Sequence, residues 1–114
     1  MQGQTIEWAP FRMRAGVTEA ELLEAASAIQ GEFLEQQDGF VRRELLRGAG
    51  DTWCDLLYWR DAEAAQRAME AAMQNPACAR YFGMMQGVDH EDPGAGLLHF
   101  EVRRSFSAGA GAAV

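Results

Sequence analysis

The stretch 51-DTWCDLLYW-59 decides the fold. Trp53, Leu57 and Trp59 alternate with Cys54, Leu56 and Tyr58, so an extended strand here is apolar on both faces. A strand with one wet side alternates apolar and polar positions; one covered on both sides does not. Asp55 stands in the middle. The strand therefore calls for cover on two sides by a surface that can still accommodate a carboxylate.

Working outward, 40-FVRRELLR-47 is a second strand, and the short GAGD turn (48–51) joins the two as a hairpin. After Trp59, Asp61 caps a helix over AEAAQRAMEAAMQ, with Ala65, Ala68, Met69, Ala72 and Met73 predicted toward the core. Asn75-Pro76 ends that helix and starts a short one, with Asn75 as N-cap and Pro76 at its first position. On the N-terminal side, 5-TIEWAPFRMR-14 is a strand whose Pro10 lacks a ladder donor and marks an exposed edge segment or a bulge. Thr18 and Glu21 form a capping box flanked by Val17 and Leu22, and Leu22, Ala26, Ile29 and Phe33 make one helical stripe. The last strand is 97-LLHFEVRRSF-106. Its apolar face, Leu98, Phe100 and Val102, is predicted against the helices, leaving His99 and Glu101 on the other face with Leu97 and Arg103.

The order β-α-β-β-α-β predicts an α+β, ferredoxin-like domain over residues 1–106: a four-stranded antiparallel sheet with both helices on one face. Residues 107–114, SAGAGAAV, read as a disordered low-complexity tail. A two-layer fold leaves one sheet face bare, and an apolar bare face on this scale marks an interface. The expected solution is a homodimer packed sheet to sheet, because Trp53, Leu57 and Trp59 cannot all be left in water, with Asp55 near the seam.

The net charge of −7 argues against a nucleic-acid partner, since phosphates would be repelled. No run approaches the ~20 apolar residues of a membrane span, and MQGQTIEW lacks the pattern of a signal peptide, so a cytoplasmic protein is expected. Cys54 and Cys78 then read as free buried thiols. Neither cysteine has a ligand partner at a useful spacing, and the glycines at 48–50 and 94–96 do not form GxGxxG, so no metal and no nucleotide or flavin cofactor is expected.

FRMRAGVTEAEL leading into the first helix, GFVRREL before the hairpin, Trp53 to Trp59 running into DAEAA, and NPACARYF together resemble the dimeric α+β barrel superfamily, in particular its antibiotic-biosynthesis monooxygenase-like domains. The resemblance covers about residues 5–106. It implies a homodimer and a pocket between sheet and helices, where several relatives oxidise aromatic or quinol substrates with dioxygen and no cofactor. Polyketide-oxygenating relatives use a strand Asn with a Trp, whereas the asparagine of this chain is the helix cap Asn75. Haem-degrading relatives carry a haem-ligating His on the second helical segment. Residues 61–85 hold no histidine, so no haem is expected.

His99 is the first candidate for a general base, since imidazole titrates nearest neutral pH, with Asp55 or Glu101 to orient it. The plainer reading makes it one member of an ion-pair network across the dimer seam. Glu7, if it follows the face of Ala9 and Phe11, is buried and either meets an arginine or marks a pocket. His90, in the acidic VDHEDPG loop, reads as solvent-exposed. Trp8, Trp53, Trp59, Tyr58, Tyr81 and Phe82 either line a pocket for a small aromatic ligand or form plain core. Two functions fit: a cofactor-free monooxygenase or isomerase, or a non-catalytic dimeric small-molecule-binding or accessory protein.

Overall fold

The computed structural model describes residues 3–87 and 96–109, in the order β1 (Thr5–Arg12), α1 (Glu19–Glu32), β2 (Phe40–Arg47), β3 (Thr52–Trp59), α2 (Ala62–Ala72), α3 (Pro76–Phe82) and β4 (Leu98–Glu101), with a single 3-10 turn, Leu34–Gln36, after α1. The strands form one antiparallel sheet in the order β2-β3-β1-β4. This is the ferredoxin-like arrangement expected from the chain order.

The helix starts follow from their caps. The Thr18 hydroxyl accepts from the Glu21 amide at 3.1 Å while the Glu21 carboxylate accepts from the Thr18 amide at 3.0 Å, the reciprocal box that satisfies two free donors. Asp61 accepts from Ala64 at 2.8 Å, and Asn75 accepts from Ala77 and Cys78. Gly39 enters β2 with φ +87°, a conformation that glycine adopts without penalty.

Pro10 sits where its missing donor costs nothing. Arg12 and Arg14 turn their backbone groups away from β3, toward Gln86 and Met84. By alternation Pro10 faces that side too, and β4 pairs only with Thr5–Trp8, so no strand lies opposite it.

The two faces of the sheet are assigned by register. Thr5, Glu7, Ala9 and Phe11 of β1 share one face with Trp53, Asp55, Leu57 and Trp59 of β3. This face packs under the chain's own helices, in one cluster with Leu22, Ala26, Ile29, Ala65, Ala68 and Tyr81. The expectation that Trp53, Leu57 and Trp59 border a partner chain, with Asp55 near that seam, is therefore corrected: all four are buried within the monomer. The reason is parity. Both faces of β3 are apolar, and the pairing with β1 turns the bulkier set inward.

The last strand is reversed in the same way. Leu98 (52% exposed) and Phe100 (54%) point to the open face, and His99 lies on the helix face opposite Glu7. Apolarity alone selected the wrong side because the strand pairs for four residues, not ten, and β1 sets its register. Residues 102–109 carry no regular structure, and residues 110–114 and His90 lie outside the described residues. Met73 is exposed (46%), not core, because α2 ends at Ala72. Cys54 and Cys78 are free and buried, as expected.

Candidate functional site

Beneath the helices, the sheet and the inner faces of α1, α2 and α3 form a partly open cavity of about 100 Å³. Its walls are mostly apolar: Phe11, Ile29, Phe33, Leu57, Met69 and Phe82 among them. Four polar side chains interrupt this lining in two groups, Arg43, Asp55 and Tyr81 on one hand, and Glu7 on the other.

The first group is closed on itself. Arg43 and Asp55 come from adjacent strands on one face, one diagonal step apart, within reach of a long side chain. Arg43 Nε donates to Asp55 Oδ1 at 2.6 Å and Nη2 to Oδ2 at 3.0 Å, and Nη1 donates to the Ala26 carbonyl at 2.9 Å. The Tyr81 hydroxyl donates to Asp55 Oδ2. Burial works against the Arg43 charge, but the bidentate bond and the charge of Asp55 outweigh it and raise its pKa above the ordinary guanidinium value. Burial, and then the neighbouring Asp55 charge, push Tyr81 far up, so it stays a neutral donor. A buried pair tolerates its desolvation only when its hydrogen bonds are made, and here they are. This answers the question Asp55 raised in the sequence: its partner is Arg43.

The second group is Glu7 with His99. Glu7 is 8% exposed and lines the cavity, and its Oε1 lies 3.2 Å from His99 Nε2. The His99 side chain is 41% exposed. The hydrogen bond to Glu7 raises the His99 pKa above its ordinary value, against a smaller opposing effect of burial. His99 is not oriented by Asp55 or by Glu101, which pairs with Arg103 at 3.0 Å.

Of the candidate pocket aromatics, Trp59, Tyr81 and Phe82 line the cavity. Trp53 is buried outside its lining, and Trp8 and Tyr58 stand on the open sheet face. Trp59 is 1% exposed, and its Nε1 finds no hydrogen-bond partner among the described residues. An unpaired buried donor is uncommon and asks for an acceptor. Burial pushes the Cys78 thiol in the wall up to about 12, so it is inert near neutral pH. Arg43 is the residue the sequence reading missed. Its signal was the hairpin register: counting back from the 48–51 turn sets Arg43, not Arg42, beside Leu45 on the buried face.

Comparison with known structures agrees with this layout. A single-residue variant of SnoaB, a cofactor-independent oxygenase from Streptomyces nogalater, superposes with a TM-score of 0.68 at 20% identity, covering 92% of this chain and 98% of that one. A Bordetella bronchiseptica protein assigned as an antibiotic biosynthesis monooxygenase gives 0.69 at 12% identity, over 92% and 100%. The chain has an antibiotic-biosynthesis-monooxygenase-like fold. A haem-degrading protein of Mycobacterium tuberculosis shares it at 22% identity with a TM-score of 0.57, over 95% and 100% of the two chains. The sequence matches no protein-family model and no curated protein. Among the described residues, no helix is long and apolar enough to cross a membrane.

Proposed function

We propose that the protein is a homodimeric, cofactor-independent monooxygenase of the cytoplasm, acting on a small aromatic, quinol-like molecule held under its helices. The observation that carries this reading is the cavity itself: an apolar chamber whose wall includes the indole of Trp59 and one carboxylate outside the Arg43–Asp55–Tyr81 group, Glu7. The fold shared with a cofactor-independent oxygenase supports it.

The chemistry needs little from the protein. A base removes a proton from a phenol or an activated CH₂, and the electron-rich anion reacts with dioxygen. One oxygen atom becomes the new carbonyl oxygen and the other leaves as water. A mostly apolar pocket that holds the anion next to dioxygen supplies the rest. Size restricts the ligand: an engineered apolar cavity of ~150 Å³ holds benzene, so the space under the helices, about 100 Å³, takes no more than a single ring.

The homodimer reading rests on the open sheet face, where Trp8 (40% exposed), Leu98 and Phe100 stand beside the half-buried Ile6, Leu56 and Tyr58. Arg42 and Glu44 lie on the same face of β2, so a two-fold axis can set opposite charges against each other.

The second reading, a non-catalytic binding or accessory protein, is favoured by one feature. Arg43, Asp55 and Tyr81 are spent on one another, and little polar capacity is left for catalysis. Oxygen uptake with monocyclic and bicyclic hydroquinones, measured beside tryptophan fluorescence, separates the two. Uptake that falls at least tenfold in Trp59→Phe is expected. Saturable quenching without uptake favours the accessory reading, and neither signal overturns the pocket.

A further inference from the structure

We infer that Glu7 and His99 form a two-part proton relay, linking the inner wall of the partly open cavity to solvent through the β1–β4 edge. The inference rests on the reading of the cavity as a ligand site and assigns its inner and outer acid–base groups. Glu7 faces inward and is buried in the wall; His99 faces the same sheet side, 3.2 Å from it, and is 41% exposed. The pair thus has one end in the cavity and one in water. His99 itself does not line the cavity, so Glu7 is the group that meets the ligand, and His99 is its positioning and shuttling partner.

No other described group competes for this role. On β3, Leu57 stands directly opposite Glu7, and Asp55, one step along, is held by Arg43 and Tyr81. On β4, Glu101 shares the His99 face and pairs with Arg103. The cavity side of α2 presents Ala68, Met69 and Ala72, and α3 presents Cys78, whose thiol stays protonated.

The transfer is redox-neutral. The ligand O–H bond breaks and a Glu7 carboxyl O–H bond forms. The proton then passes to the His99 imidazole, which releases one to water.

The test uses 4-nitrophenol as the cavity probe, because its own ionisation is visible by absorbance, with imidazole NMR titration of His99 as the readout. In the wild type, saturating 4-nitrophenol should shift the His99 midpoint, since a proton delivered to Glu7 removes the anion facing the ring. Glu7→Gln should titrate His99 at lower pH without the probe and, at a probe concentration that saturates the variant, should show no probe-induced shift. Binding with an unmoved wild-type midpoint overturns the relay and leaves the ligand site standing. Failure of 4-nitrophenol to bind overturns the ligand site, and the relay with it.

Discussion

Asp55 shows how much one residue can determine. It binds a guanidinium and a phenol at once, both inside the core, so its substitutions separate charge from hydrogen bonding. Asp55→Ala leaves Arg43 as an uncompensated buried cation and should cost about 3–5 kcal/mol. Tyr81→Phe removes one hydrogen bond and should cost about 1–3 kcal/mol. Denaturant unfolding of both variants checks the order; equal losses would mean that Arg43 finds water when Asp55 is gone. The Glu7–His99 pair has its own pH signature. His99 titrates higher in the folded chain than in the unfolded one, first because of its bond to Glu7. Its contribution is therefore fully present below the unfolded value of about 6.5 and fades as pH rises through the folded value. The melting-temperature advantage of wild type over His99→Gln should be largest at the acid end and narrow above it. The importance of Glu7 was legible in the sequence because a buried carboxylate needs a partner or marks a pocket. Its actual partner was not, because Glu7 and His99 are 92 residues apart and only the β1–β4 register brings them together.

At the scale of elements, the helices were legible and the last strand was not. Capping is local: Thr18, Asp61 and Asn75 each announce a helix within a few residues, and each bonds as expected. Strand orientation is non-local. The four residues of β4 have no orientation until β1 assigns one, and an apolar Leu98/Phe100 face looks the same under a helix or on an open sheet. Two substitutions measure the contrast between local and packed constraints. Thr18→Ala removes one exposed cap and should cost about 1 kcal/mol. Gly39→Ala should cost more, because an added Cβ forces a side chain into φ +87° and would lie 2.5 Å from the Ala64 Cβ. Thermal unfolding of both variants checks this. A milder Gly39→Ala would mean that the start of α2 moves aside freely.

For the whole molecule, the open sheet face is the unresolved surface. The sequence reading reached a homodimer from Trp53, Leu57 and Trp59, and those residues turned out to be core. The exposed set is different, Trp8, Leu98 and Phe100 around Ile6, Leu56 and Tyr58, and it is a stronger motive because the helices already cover the other face. The homodimer proposed above would set this patch against itself across a two-fold axis. A stable pairing of this type should bury about 1,200–2,000 Å² in total. Light scattering at micromolar concentration should therefore give twice the mass of one chain. Phe100→Glu puts a charge in the middle of the seam and should give a monomer. The cavity lies on the other side of the sheet, so that monomer should keep the fold and the buried environment of Trp59. A wild-type monomer with native circular dichroism would refute the dimer. A Phe100→Glu variant that stays dimeric would move the interface off this face.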